Sequence, residues 1–167
     1  MTVFLYAFTE FSPEYLEWLN DPEVNRYTSR GSYPTTEAEA RQYVATCQSA
    51  DRIVSAIFAN ERHIGNISIQ KIDLINRSAE LAILIGDRSA QGKGFGLKAS
   101  QIICKHGFNA LGLNRIYCGT HSENIPMQKL ALKLGMKEEG WSRKALYTDG
   151  KFADIIHYGI LREEFQK

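Results

Sequence analysis

The sequence predicts one mixed α/β domain, spanning residues 1–167, with a mostly antiparallel sheet around a central parallel pair of strands. Three observations predict it. A length of 167 residues suits a single domain that buries roughly 70% of its unfolded surface. Strand, glycine-rich loop, helix and strand follow one another over residues 78–120, a βαβ unit whose strands run parallel. Two further pairs of β-forming segments, each joined by a short turn, make antiparallel hairpins on either side of it.

Residues 3–9 alternate weakly with β-formers and read as a first strand. Ser12-Pro13-Glu14 supplies an N-cap, a proline in the first turn and an acid at the positive helix end, opening a short helix through Trp18 and Leu19. Asp21-Pro22-Glu23 repeats the device for a second short helix near Val24, and the segment through Tyr27, Arg30, Gly31 and Pro34 reads as an irregular loop. Thr35-Thr36-Glu37 starts a polar helix carrying Ala38, Tyr43 and Val44 to about Gln48. Two strands, around 52–58 and 64–69, meet at the turn Asn60-Glu61-Arg62, and a third, Ser78–Ile85, is apolar on both faces like a central strand. Phe95, Ala99, Ile102 and Ile103 recur at helical spacing until Gly112 breaks the pattern, and residues 115–120 form the return strand. Asn124 caps a further helix with Pro126 in its first turn, Met127, Leu130 and Leu134 on one face, and Gly135 at its end. Strands at 136–147 and 155–161 flank the turn Asp149-Gly150.

With 20 Lys and Arg against 19 Asp and Glu, the chain lacks the clustered positive excess by which proteins grip nucleic acid or a membrane surface, so neither is expected as a partner. Cys47, Cys104 and Cys118 form no CxxC pair, and the start of the chain lacks a basic stretch followed by an apolar core. The expectation is a cytoplasmic protein with reduced thiols. The histidines and cysteines show no HxH, HExxH or CxxC spacing, so no metal is expected. Cys104 and Cys118 read as small buried hydrophobes.

The feature that carries chemistry is Gln91-Gly92-Lys93-Gly94-Phe95-Gly96, between the central strand and its helix. There, backbone N–H groups and the positive helix end converge on one point, an anion site suited to phosphate. Lys93 and Lys98 add charge. The spacing excludes a P-loop, because Lys93 is followed by Gly94 and five residues separate Gly86 from Gly92. It excludes the dinucleotide fingerprint too, because the third position after Gly94 is Leu97.

This hexapeptide resembles the Gln/Arg-x-x-Gly-x-Gly/Ala pattern of the GNAT superfamily of N-acetyltransferases, which cradles the pyrophosphate of acetyl-coenzyme A. Asn124, with the helix ending Lys133-Leu134-Gly135-Met136, is similar to that family's second coenzyme-binding region, Met136 replacing a usual Phe. Glu139-Gly140, Asp149-Gly150 and Asp154 resemble the branch holding ribosomal-protein N-terminal and amino-sugar acetyltransferases. The resemblance implies a GNAT fold whose central parallel strands are splayed, with acetyl-CoA as co-substrate. It implies coenzyme contacts from Leu84, Ile85 and Gly86 of the strand edge, from Gln91, Gly92, Lys93, Gly94, Phe95, Gly96, Leu97 and Lys98, and from Asn124. It also implies that the N–H near Leu84 faces the thioester oxygen.

A protonated amine is no nucleophile, so a base or a water chain must take its proton. Glu80, flanked by Ala79, Leu81 and Ala82, is the best-placed carboxylate; apolar surroundings would make it a better base. The bland reading of Glu80 is an exposed strand end or an ion pair with Arg77 or Arg115. The thiolate's proton donor departs from the family pattern, since its Tyr and Ser positions hold Ala131 and Met127. Tyr117, Ser122, Tyr147, water or unaided departure of the thiolate then remain. Asn124 reads equally as coenzyme partner and as helix cap. His121 could face the acceptor amine, though a histidine just past a strand is more often solvated.

The family plan puts acceptor binding at Tyr27, Arg30 and Tyr33, while Trp18 reads more readily as packing; His121 and Tyr147 are further candidates for the acceptor site. The stretch Glu17-Trp18-Leu19-Asn20-Asp21-Pro22-Glu23-Val24 resembles acetyltransferases of amino-sugar nucleotides, so the acceptor expected is a small-molecule amine such as an amino sugar. Two alternatives stand beside it: acetylation of a protein N-terminus, and an acyl-CoA sensor without turnover. The residues leave the oligomeric state open, a homodimer included.

Overall fold

The computed structural model describes residues 2–165, apart from the side chains of residues 29 and 30. Its strands are β1 (Val3–Ala7), β2 (Arg52–Ala59), β3 (Arg62–Asp73), β4 (Ser78–Ile85), β5 (Arg115–His121), β6 (Lys137–Thr148) and β7 (Lys151–Leu161). They form one sheet in the order β1-β2-β3-β4-β5-β7-β6. Every pairing is antiparallel except β4 with β5. The helices are α1 (Pro13–Asn20), α2 (Pro22–Asn25), α3 (Glu37–Thr46), α4 (Phe95–Asn109), α5 (Ile125–Leu134) and α6 (Arg162–Phe165).

Local chemistry explains most boundaries. Ser12, Asp21, Thr36 and Asn124 each accept a backbone N–H of the helix they open, and Thr36 forms a reciprocal capping box with Glu39. Asn60 and Glu61 both adopt positive φ, as do Asp149 and Gly150, the geometry of two-residue hairpin turns that match strand twist.

Several elements differ from expectation. β3 runs on to Asp73, because Gln70 and Asp73 still find partners on β4. β7 begins at Lys151 rather than Ile155, since residues 151–153 pair back to residues 146–148 across the turn. A short 3-10 turn, Ser29–Ser32, lies in the segment read as irregular. His121 ends β5 instead of following it.

The sheet separates two cores. On one face α4 and α5 pack over the central strands through Ala99, Ile103, Cys104, Phe108, Ala131 and Leu134. On the other, α1 and α3 cover β1 and β2 through Tyr15, Trp18, Leu19, Ala40 and Val44. All three cysteines are buried free thiols, and burial pushes those of Cys104 and Cys118 up to about 12. No helix among the described residues is long and apolar enough to cross a membrane.

Candidate active site

The site begins where the central strands part. β4 and β5 pair only at Ser78–Arg115, Ala79–Ile116 and Glu80–Tyr117. Beyond that fork, Ala82, Ile83, Leu84 and Ile85 are only half-buried although they lie in the middle strand of the sheet. β4 keeps an unbroken register with β3 from Glu80 to Ile85, so the opening lies wholly on the β5 side. The Arg115 N–H donates to the Arg77 carbonyl at 3.1 Å. By strand alternation the groups of β4 facing the open side therefore belong to odd-numbered residues. This corrects the expectation for Leu84: its N–H faces Asn66 on β3, and Ile83 and Ile85 present their backbone to the fork. The Gln91 side chain closes one of these sites by donating Nε2–H to the Ile85 carbonyl at 2.9 Å, tying the glycine loop to the end of β4.

The loop joins β4 to α4 through backbone conformations that need glycine. Gly92 and Gly94 have φ of 72° and 84°, left-handed values that glycine adopts without steric cost. Gly94 caps α4 with no side-chain bond. The N–H groups of residues 92–97 donate to no acceptor among the described residues. They converge at the positive end of a 15-residue helix. Gly96 lets that helix approach α5 and β4, since a Cβ there would stand 3.1 Å from Leu130. Lys93 and Lys98 are exposed and make no ion pair among the described residues. Asn124 caps α5 by accepting the Met127 N–H at 3.2 Å, and its NH2 group meets no acceptor among the described residues. Gly86 serves packing: a Cβ on it would fall 2.0 Å from the Trp18 indole.

Glu80 sits at the last paired rung, opposite Tyr117. Its surroundings differ from both expectations, being neither apolar nor an arginine pair. Its Oε2 lies 2.8 Å from Lys71 Nζ and accepts Gln70 Nε2–H at 3.2 Å. The bond to Glu80 in turn raises the Lys71 pKa. Arg115 is taken by Glu139 instead. Ala131 is fully buried in the core and Met127 packs against it, so α5 offers no hydroxyl at either position.

The acceptor-side residues divide. His121 is buried at 5% exposure, contrary to the solvated reading, because the end of β5 is covered by Tyr27, whose ring centroid is 5.5 Å away. His121 Nδ1 accepts the Glu123 N–H at 3.0 Å, and Nε2 lies 3.2 Å from Thr148 Oγ1. Both ring nitrogens are thus engaged. Tyr33 stands 81% exposed beside a separate hollow between α1 and α3. Tyr147 packs against Phe152 with its ring tilted by 58° at the β6–β7 hairpin, on the face opposite Thr148. The structure does not bring these two tyrosines to His121. The Arg30 side chain lies outside the described residues. Among the described residues, no cluster of three or more His, Cys, Asp or Glu could hold a metal ion.

Sequence reasoning also passed over Asn66 and His63, whose side chains meet on β3, Asn66 on the face of the sheet that carries Glu80 and Tyr117. The signal was present as Asn66, Ser68 and Gln70, three polar residues at period two in an otherwise β-branched strand.

A strand fork with an open backbone edge, closed at one end by unclaimed N–H groups on glycines, is built for an extended ligand carrying phosphate. Residues 3–137 match the family model described as "Acetyltransferase (GNAT) domain". The chain belongs to the GNAT acetyltransferase family. This acetyltransferase is 29% identical over 155 residues to the uncharacterized N-acetyltransferase p20 of Bacillus licheniformis, covering 89% of this chain and 86% of that protein. It is 30% identical over 107 residues to a spermidine N(1)-acetyltransferase of Vibrio cholerae, 64% of this chain and 61% of that one. Its fold superposes on the Vibrio cholerae spermidine N-acetyltransferase in complex with CoA and spermine, with a TM-score of 0.84 at 23% identity, covering 99% and 98% of the two chains. The RimL ribosomal L7/L12 alpha-N-protein acetyltransferase in complex with coenzyme A gives a TM-score of 0.83 at 21% identity, covering 96% and 94%. The acetyltransferase uses acetyl-CoA and acetylates an amine, which sets aside the sensor reading.

Proposed function

We propose that this enzyme acetylates a primary amine on a small hydroxylated molecule, an amino sugar free or nucleotide-linked, by direct attack on the thioester of acetyl-CoA. The observation that carries the coenzyme half is the fork with its unclaimed N–H groups. Residues 92–97 with Lys93 and Lys98 would take the pyrophosphate, and the free backbone of Ile83 and Ile85 would pair with the pantetheine arm. Asn124 would add its free NH2 group.

On the acceptor side, the amine nitrogen attacks the carbonyl carbon, a C–N bond forms as the C–S bond breaks, and sulfur departs with the electron pair as thiolate. The amine's extra proton passes to Glu80 or to water. His121 is poorly suited to that task, because both its nitrogens are engaged; it shapes the pocket together with Tyr27. Of the hydroxyls considered as proton donor, only Tyr117 stands at the fork. A thiol of reference pKa about 8.5 also leaves tolerably without one.

The amino-sugar reading is supported by the resemblance of residues 17–24 and by charge. Glu80 at the last rung before the fork and Glu139 beside Arg115 are already paired with Lys71 and Arg115, which leaves these two carboxylates little for a polycation. A second reading, acetylation of a protein N-terminus, is favoured by the 30% identity over 102 residues to a putative ribosomal N-acetyltransferase of Bacillus subtilis. Buried free thiols suit a reducing compartment. Thiol release from acetyl-CoA, measured over amino sugars, polyamines, amino acids and peptides, tests the proposal. Highest kcat/KM on an amino sugar is expected; highest kcat/KM on a peptide N-terminus would replace it with the second reading.

A further inference from the structure

The face of the sheet that carries Glu80 and Tyr117 includes a polar stripe on β3 with unspent bonding capacity. Asn66, Ser68 and Gln70 of β3 pair across to Leu84, Ala82 and Glu80, so all six share one face, the same face as Tyr117. Asn66 is 8% exposed and Ser68 5%. Polar groups so placed disfavour folding unless they find partners. Gln70 finds Glu80. The Ser68 hydroxyl and the Asn66 NH2 group find none among the described residues, yet neither is sealed from solvent.

His63 decides which way the Asn66 amide points. Its Nε2 lies 3.0 Å from the Gly65 carbonyl oxygen and 2.8 Å from Asn66 Oδ1. A backbone carbonyl only accepts, so Nε2 must carry a hydrogen. That N–H favours the amide oxygen and turns the NH2 group away. The imidazole itself is held by Phe58, stacked at 5.4 Å, and by Trp18, edge-on at 4.9 Å. Trp18 is the same ring that fills the space over Gly86 at the end of β4. The result is an Asn66 NH2 group turned away from His63 and left without a partner among the described residues, on the face of the sheet that carries Glu80 and Tyr117.

We propose that Asn66 Nδ2 donates to a neutral oxygen substituent next to the acceptor amine, with Ser68 Oγ as a second contact, and that His63 is the positioning residue for Asn66. The proposal rests on the acetyl-transfer reading of this face and narrows its acceptor to an amine flanked by hydroxyl or carbonyl oxygen. A polycation gains nothing from N–H donors, and the one carboxylate of the stripe is held by Lys71.

The test uses the full-length enzyme with glucosamine, a nucleotide-linked amino sugar and spermidine as probes, alongside direct measurement of CoA affinity. Asn66→Asp keeps the size and the oxygen facing His63 but removes the donors. It is expected to raise the amino-sugar KM about tenfold with kcat little changed, the usual cost of one lost recognition bond. CoA affinity should stay within about twofold, since the change alters no group of the glycine loop. His63→Phe keeps the aromatic packing and should reproduce the KM rise. His63→Gln, which restores an N–H donor, should recover most of it, and a purely packing role would not be rescued this way. Ser68→Ala, a milder change, keeps the proposal testable if Asn66→Asp fails to fold, and should raise KM about threefold. An unchanged KM in the folded Asn66 or Ser68 variant overturns the proposal, as does a wild-type preference for spermidine over both amino sugars. Turnover of neither amino sugar also overturns it, while retained CoA binding in that case leaves the coenzyme assignment standing.

Discussion

Gly94 shows how much of the site depends on one torsion. Its φ of 84° turns the chain from loop into α4 and leaves the first N–H groups pointing outward. A side chain there costs about 1–2 kcal/mol in backbone strain and stands where the proposed pyrophosphate would approach. Gly94→Val is therefore expected to weaken CoA binding at least about tenfold by titration calorimetry, and an unchanged Kd would refute the anion-site assignment. Glu80 is the residue on which sequence and structure differ most. Its type and position at the central strand were legible, but its environment was not, because Lys71 comes from another strand. If Glu80 takes the amine proton, Glu80→Gln lowers kcat/KM most at low pH, where more of the amine is protonated. A pH–rate profile parallel to the wild type would assign that proton to water.

Among elements, β6 carries a device that sequence did not disclose. A bulge between Glu138 and Gly140 inserts Glu139 as the extra residue, and Gly159 on β7 leaves room for it: a Cβ there would lie 2.5 Å from the Glu139 carboxylate. Glu139 thus reaches over β7 to a bidentate pair with Arg115 on β5, just below the fork. The Arg115 hydrogen bond is the main cause that lowers the Glu139 pKa. A depressed carboxylate stabilises the fold above its unfolded pKa of about 4.3, and that contribution disappears as pH falls through the lower folded value. Both side chains are 35% exposed, so screening holds the effect to about 1 kcal/mol or less. Urea melts should show Glu139→Gln less stable than wild type at pH 7, with the gap closing towards pH 3; a pH-independent gap would mean packing rather than charge. Helix caps and hairpin turns, by contrast, were legible from Ser12, Asp21, Asn124 and Asp149-Gly150, because each acts within a few residues of itself.

At the scale of the whole molecule, the sheet order places β7 between β5 and β6, bringing the last hairpin alongside the fork and Thr148 onto His121. The sequence by itself determined the α/β class, nearly all the elements, and the glycine loop that opens α4, because these follow from periodicity, caps and the conformational freedom of glycine over short stretches. Only the tertiary structure decided where the parallel strands part and which odd-numbered groups of β4 face the opening. It alone buried His121 beneath Tyr27, left Tyr33 and Tyr147 outside that pocket, and set Asn66 on the face of Glu80 and Tyr117 with its amide held by His63. Each of these rests on contacts between residues distant in the chain or on the phase of a hydrogen-bond ladder, and both are fixed only once the strands have paired.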